Sequence, residues 1–209
     1  MQSHPQPATV ESNQLSPTER SRIRRCADRA SYRRDDIYRL IDDLKTGHIG
    51  FVSDGLPVVI PMTVWRVDDH LYFHSLNKSR LHKLCEAGAQ LCISFAECSE
   101  WVLAKSAYHH SANYRSVVIY GQAERVTDPQ QFDRAFEVVI NQIEAGRWEQ
   151  VRAPNAKERK ITALMRIPIE EGAFKQRQAG PSEEPEDMGL PVLHGTVPVC
   201  PFHAEKQGS

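Results

Sequence analysis

Residues 73–84 read FHSLNKSRLHKL, and two cations, Lys78 and Arg80, flank Ser79 in the middle of that run. Leu81, Leu84 and Ala87 have helical spacing, so a helix is expected to start near Ser79, a good N-cap residue. Cations are mildly unfavourable at that end of a helix, where the macrodipole is positive. Two explanations stand side by side. A phosphate held by free backbone N–H groups would make sense of both charges, with Arg80 binding two oxygens and Lys78 acting as a point charge. Alternatively, both side chains extend into water at a cost of roughly a few tenths of a kcal/mol.

Other residues with chemical potential are fewer. His109 and His110 are adjacent in KSAYHHSANYRS. On a strand they would face opposite ways and make poor joint metal ligands, but in a loop they could line a pocket, which makes them the only catalytic candidates. Cys200 and His203 in the CPFH segment read as part of an ordinary tail. The five cysteines (26, 85, 92, 98 and 200) are odd in number and form no C-x-x-C pair. They are expected to be reduced thiols rather than a disulfide framework or a zinc site, and no metal is expected. Phosphate-loop, dinucleotide-fingerprint, zincin and nucleophile-elbow motifs are all absent.

The elements that must position these residues follow from periodicity. Residues 1–18 are polar and proline-containing and are expected to be disordered. Residues 19–34 carry seven arginines between Arg20 and Arg34, a basic lead-in arm that either touches nucleic acid or packs on a partner surface. A helix is predicted from Asp35, with Ile37, Leu40, Ile41 and Leu44 on one face and Gly47 just past its end. Strands are predicted at 48–53, 57–67, 71–75, 90–97, 101–106 and 116–126, with a hairpin turn at Asp54-Gly55 and another turn at Asp68-Asp69. A second helix spans 128–144, entered through Asp128 and Pro129. A last strand pair is expected at 161–167 and 172–176, followed by an extended tail from 178 to 209. Six or seven strands in succession, with helices inserted rather than alternating, predict a mainly β fold built as an antiparallel barrel.

Lys plus Arg number 26 against 27 Asp plus Glu, so bulk charge points to neither a nucleic-acid nor a membrane partner. No apolar run reaches the ~18 residues of a membrane span, and the first residues lack the apolar core of a signal peptide. A cytoplasmic location is the expectation.

The order HIGFVSDGLPVVIPMTVWRVDDHLYFHSLNKSRLHKL, then QLCISF, then SAYHHSANYRSVVIYGQAERV, resembles the pyridoxamine 5′-phosphate oxidase-like flavin-binding proteins. The branch it is most similar to is the flavin-nucleotide-binding proteins related to nitroimidazole reductases. The resemblance runs from about Arg24 to Gln176, and the late LPV and GTVPV segments also resemble that branch. It implies a split β-barrel over residues 35–177, a homodimer, and FMN at the subunit interface. Matched residue by residue, it implies phosphate binding by His74, Ser75, Ser79 and Arg80, with Lys78 as an addition. It also implies that the backbone of Val59, Ile60, Pro61, Met62 and Thr63 faces the flavin ring. Tyr114, Arg115 and Ser116 would reach the flavin from the partner subunit, and cations near the ring would stabilise its reduced form. True pyridoxamine phosphate oxidases carry a C-terminal Trp and an Arg-x-His element. MRIPIEEGAFKQRQ contains no counterpart, and Trp148 lies in another context.

The expectation is therefore an FMN-dependent oxidoreductase that passes hydride from a nicotinamide nucleotide, NAD(P)H, to a small molecule. The alternatives are a non-catalytic flavin- or haem-binding sensor, and a nucleic-acid-binding regulator acting through the arginine arm.

Overall fold

The structure is a computed structural model and describes residues 13–199. Ten antiparallel strands form one sheet with the order β1-β9-β6-β5-β2-β3-β4-β8-β7, and β10 pairs with β5 off that path. The strands are β1 (Ala30–Ser31), β2 (Thr46–Ser53), β3 (Leu56–Val67), β4 (His70–Leu76), β5 (Gln90–Leu103), β6 (Ser111–Gln122), β7 (Glu124–Arg125), β8 (Thr162–Pro168), β9 (Glu171–Arg177) and β10 (Gly195–Pro198). Because β7 continues β6 past the buried Ala123 and pairs with β8, the sheet closes on itself. The predicted split β-barrel with flanking helices is the architecture found.

Two cores form on the two sides of this wall. Helix α1 (Arg34–Leu44) lays Ile37, Leu40 and Ile41 against the barrel interior, which is filled by Ile49, Phe73, Ile93, Phe95 and Ile119. Outside β3, β4 and β8, helix α3 (Pro129–Ile143) packs Phe132, Ala135 and Val139 onto Trp65, Tyr72 and Leu164. The Trp65 indole N–H, which would be costly to bury alone, donates to the Ala135 carbonyl at 2.9 Å. Asp128 caps α3 by accepting from the Gln130 and Gln131 N–H groups, as its place before Pro129 predicts.

Several boundaries differ from expectation for identifiable reasons. The runs at 90–97 and 101–106 are one strand, β5, kinked by a bulge between Cys98 and Glu100; a bulge shifts the side-chain alternation and reads as a break. Strand β6 begins at Ser111 because its first residues pair with the far half of β5. Lys45, at φ 52°, and not Gly47, ends α1 in the left-handed conformation. Gly47 is buried in β2, where a Cβ would lie 2.8 Å from Val64 Cγ2.

The ends also differ. Residues 13–18 are ordered, correcting the expected disorder there: Leu15 is buried and its N–H bonds the Tyr32 carbonyl at 2.8 Å. The expectation for residues 1–12 lies outside the described residues. The arginine arm packs on the barrel, with Arg20 paired to Glu171 and Arg34 donating to Tyr38 Oη and the Ile169 carbonyl. As far as Val199 the tail is extended and strapped down. Arg177 donates to the Ala179 and Gly180 carbonyls, Glu183 accepts the Lys105 N–H, and β10 lies along Glu100–Leu103 of β5.

Candidate functional site

The first half of β3 pairs with β2 and its second half with β4. This strand therefore carries Thr63 to the place where β4 ends, since the ladder joining Val64 to Phe73 sets Thr63 beside His74. Strand alternation turns Val58, Ile60 and Met62 against the core and leaves Val59, Pro61 and Thr63 exposed. An apolar strand with one row half-buried and the other open to solvent can receive a flat ligand along its backbone.

At the end of β4 the chain turns into α2 (Arg80–Glu86). The Ser79 hydroxyl caps that helix by accepting the His82 N–H at 3.1 Å, and it donates to Ser75 Oγ at 3.2 Å. Asn77 fixes the turn from the other side. Its N–H bonds the Ile161 carbonyl at 3.1 Å, its side chain donates to the Lys160 carbonyl, and its Oδ1 accepts from Arg125 Nη2 at 2.8 Å. The turn is thus braced by β8, by β7 and by α4 (Ala156–Ile161). Lys78 and Arg80 project from it, both exposed. Neither meets a carboxylate among the described residues, and the Arg80 guanidinium lies 5.7 Å from the centre of the Phe51 ring. The charges that looked misplaced in the sequence stay uncompensated in the fold, which is what an anion site requires.

His74 stands beside Trp65 and Phe136, with ring centroids at 6.1 and 5.8 Å. One edge of His74 stays exposed, but partial desolvation beside these rings pulls its pKa below the ordinary value and favours the neutral ring near pH 7. Ser75, Lys78, Ser79 and Arg80 therefore gather at the turn, and their chemistry fits a phosphate, whereas Thr63 and His74 lie on the α3 side of the sheet, opposite Ser75 by strand alternation.

The remaining candidates are not gathered there. Arg115 and Ser116 lie on β6, separated from β4 by three strands. Arg115 is bound to Asp43 at 3.0 Å and also to Glu97, so its charge is neutralised within its own chain. His109 pairs with Glu184 at 3.3 Å, and His110 Nδ1 lies 3.0 Å from the Ser106 carbonyl oxygen, which ties both to their own loop and the tail. Cys200 and His203 lie outside the described residues. No group of three or more His, Cys, Asp or Glu side chains among the described residues could hold a metal ion. A cleft of about 520 Å³ is lined by none of the candidate residues. Its one thiol, Cys85, is pushed up to about 11 by burial and is a poor nucleophile.

Sequence inspection missed the arginines behind the turn. Arg125 and Arg159 line a cleft of about 350 Å³ between β7, α3 and α4. No local pattern marks them, because they converge from positions 34 residues apart.

Among curated proteins no sequence relative matches. Among solved structures, the fold is similar to the flavocytochrome Anf3 from Azotobacter vinelandii, at 29% identity and a TM-score of 0.82 over 89% of this chain and 86% of that one. It is similar also to the FAD and haem binding protein from Mycobacterium smegmatis, at 25% identity and a TM-score of 0.77 over 82% and 84%. A candidate 5-nitroimidazole antibiotic resistance protein from Bacteroides thetaiotaomicron shares the fold, at 16% identity and a TM-score of 0.60 over 70% and 86%. The sequence profile described as pyridoxamine 5′-phosphate oxidase matches residues 33–176, more than half of the chain, and the protein belongs to that family.

Proposed function

We propose that this protein is a flavin-dependent oxidoreductase that holds an FMN moiety at the β4–α2 turn and works as a homodimer. The observation that carries the reading is the pair of uncompensated cations, Lys78 and Arg80, around the Ser79 hydroxyl beside the open row of β3. Arg80 and Lys78 would bind the phosphate, Ser75, held by the Ser79 hydroxyl, would donate its own hydroxyl hydrogen bond to it, and the backbone from Val59 to Thr63 would support the ring. A flavin supplies hydride acceptance from NAD(P)H and electron delivery to a small molecule. Exposed Pro61 and Thr63 leave one side of the ring site open to such a substrate. The neutral His74 could orient a ligand there without competing for the phosphate charge.

A homodimer is supported by the outer sheet face, where Val52 and Val59 are each more than 60% exposed. Arg115 and Ser116, remote from the turn in their own chain, would join the site across that interface. A cytoplasmic setting is consistent with free Cys26, Cys85, Cys92 and Cys98, and no helix among the described residues is long and apolar enough to cross a membrane. Pyridoxamine 5′-phosphate is not the proposed substrate, because β8 and β9 carry no Arg-x-His element.

A second reading adds haem. Flavin and haem occur together in the mycobacterial neighbour, and the Azotobacter neighbour is a flavocytochrome. Among the described histidines, only His48 and His74 make no hydrogen bond or ion pair through either ring nitrogen. An absorption spectrum of the purified protein separates the readings: flavin alone gives bands in the near ultraviolet and blue, and haem adds a Soret band. Steady-state NADPH oxidation by the flavin-loaded protein then tests the catalytic role, and a rate no higher than that of free flavin would reduce it to a binding protein.

A further inference from the structure

A small molecule that accepts a hydride at one atom of a polarised double bond is left with an electron pair on the other atom. That pair needs a proton, which a positioned side chain can supply. His48 of β2 lies in register between Pro61 of β3 and Ser94 of β5. Ile49 and Phe51 of the same strand go into the core, so His48 faces outward with Val59 and Pro61. Directly paired residues have Cβ atoms about 4.5–5.5 Å apart, which sets the imidazole within one side-chain length of the middle of the Val59–Thr63 row. His48 is exposed, and among the described residues neither ring nitrogen has a hydrogen-bond or ion-pair partner.

Its surroundings carry no formal charge. At the adjoining positions of β2, β3 and β5 the residues sharing its face are Gly50, Val59, Pro61, Cys92, Ser94 and Ala96. Burial pushes the Cys92 thiol and the Tyr120 phenol up, so both hold their protons at neutral pH. Arg20 lies over the Tyr120 ring and is itself paired with Glu171. His74 on β4 is pulled down by partial desolvation and lacks a proton to give. Arg115, Glu97 and Asp43 bind one another on the other side of the sheet. An imidazole exchanges protons near neutral pH, and His48 does so on this face with no internal partner to hold it.

We infer that His48 is the general acid of the reaction, giving its ring proton to the substrate atom left electron-rich by hydride transfer. The inference rests on the flavin reading above and adds a catalytic residue to it. A bound flavin supplies the hydride. As a bond to hydrogen forms at one substrate atom, the π electrons move to the other, which takes the proton as a His48 N–H bond breaks. The neutral imidazole recovers a proton from water. An uncharged face of this kind suits a neutral, planar substrate of the quinone class.

The test uses the full chain loaded with FMN and reduced anaerobically with dithionite, and follows the return of flavin absorbance. One acceptor, menadione, takes protons with its electrons; the other, ferricyanide, takes electrons alone. The ratio of menadione to ferricyanide rates is expected to fall about a hundredfold in His48→Gln and in His48→Asn, the low end of what a general acid contributes. The wild-type menadione rate should fall as pH rises from 5 to 9, and both variants should lose that dependence. At equilibrium, 4-nitrophenolate, a stand-in for the electron-rich substrate atom, should bind wild type about tenfold or more tighter than either variant by calorimetry, the loss of one charge-assisted bond. FMN affinity and particle mass should not change. An unaltered rate ratio, a pH-independent wild-type rate or equal 4-nitrophenolate affinities would each overturn the inference and leave the flavin site intact. A Soret band that His48→Gln abolishes would assign His48 to iron and overturn it too. Failure of the wild type to bind FMN would overturn the flavin reading itself, and this inference with it.

Discussion

Arg80 is the residue on which the flavin assignment turns. It is exposed, has no carboxylate partner among the described residues, and sits one position from the capping hydroxyl of Ser79. A charge-assisted hydrogen bond contributes roughly 1.5–3 kcal/mol. Arg80→Ala should therefore weaken FMN by about ten- to a hundredfold and Arg80→Glu by more, with riboflavin binding unaltered. Identical FMN titrations for wild type and Arg80→Glu would return Lys78 and Arg80 to ordinary surface charges. His74 has a different signature. Its folded pKa lies below the ordinary 6.5, so in that window the unfolded chain binds a proton that the folded chain does not. Stability is complete above about 6.5 and declines as pH falls towards the lowered value. His74→Phe should flatten this part of the profile, measured by urea unfolding at pH 5 and pH 8; parallel profiles would mean that His74 titrates as if in water. Of these residues, Lys78 and Arg80 were legible in the sequence because they contradict the local helix preference. The neutralisation of Arg115 was not, because Asp43 lies 72 positions away.

At the scale of elements, the barrel wall depends on close approach where β9 crosses β6. Gly172 faces Ile119 across that pairing, and a Cβ there would come within 2.5 Å of Ile119 Cδ1 and 2.6 Å of the Val118 carbonyl oxygen. The second contact is backbone and cannot rotate away. Gly172→Ala is expected to cost about 1–3 kcal/mol, seen as a lower denaturant midpoint with unchanged slope. A midpoint within error of wild type would show that the two strands can move apart freely. Helices were legible where a cap and a periodic face coincide, as at Asp128 and Ser79. The hairpin turn was legible too, because Asp54 and Gly55 both adopt positive φ, 52° and 76°, as the tight hairpin turn demands. Gly47 shows the limit of such reasoning. Its position after a helical run suggests a stop signal, whereas its actual constraint is the Val64 side chain on the neighbouring strand.

For the whole molecule, the decisive property is assembly. A site that draws Arg115 and Ser116 from a second copy cannot be complete in a monomer, so a C2 dimer burying above ~2,000 Å² is expected. Light scattering at low micromolar concentration should give twice the chain mass of 23.7 kDa. His48→Glu on β2, which puts a charge beside the exposed Val52 and Val59 row, should shift the particle toward monomer and weaken flavin binding with it. A particle of single-chain mass for the wild type would remove the dimeric site. The sequence alone determined the strand periods, the capped helices, the hairpin turn and the anomalous cations, because each depends on residues within one or two turns of chain. Closure of the sheet through β6 and β7 was decided only by the tertiary structure. So were the strapping of the tail along β5, the fate of the Arg115 charge and the meeting of Arg125 with Arg159. These depend on register and packing between segments far apart in the chain, and long-range contacts of that kind leave no periodic trace in the sequence that makes them.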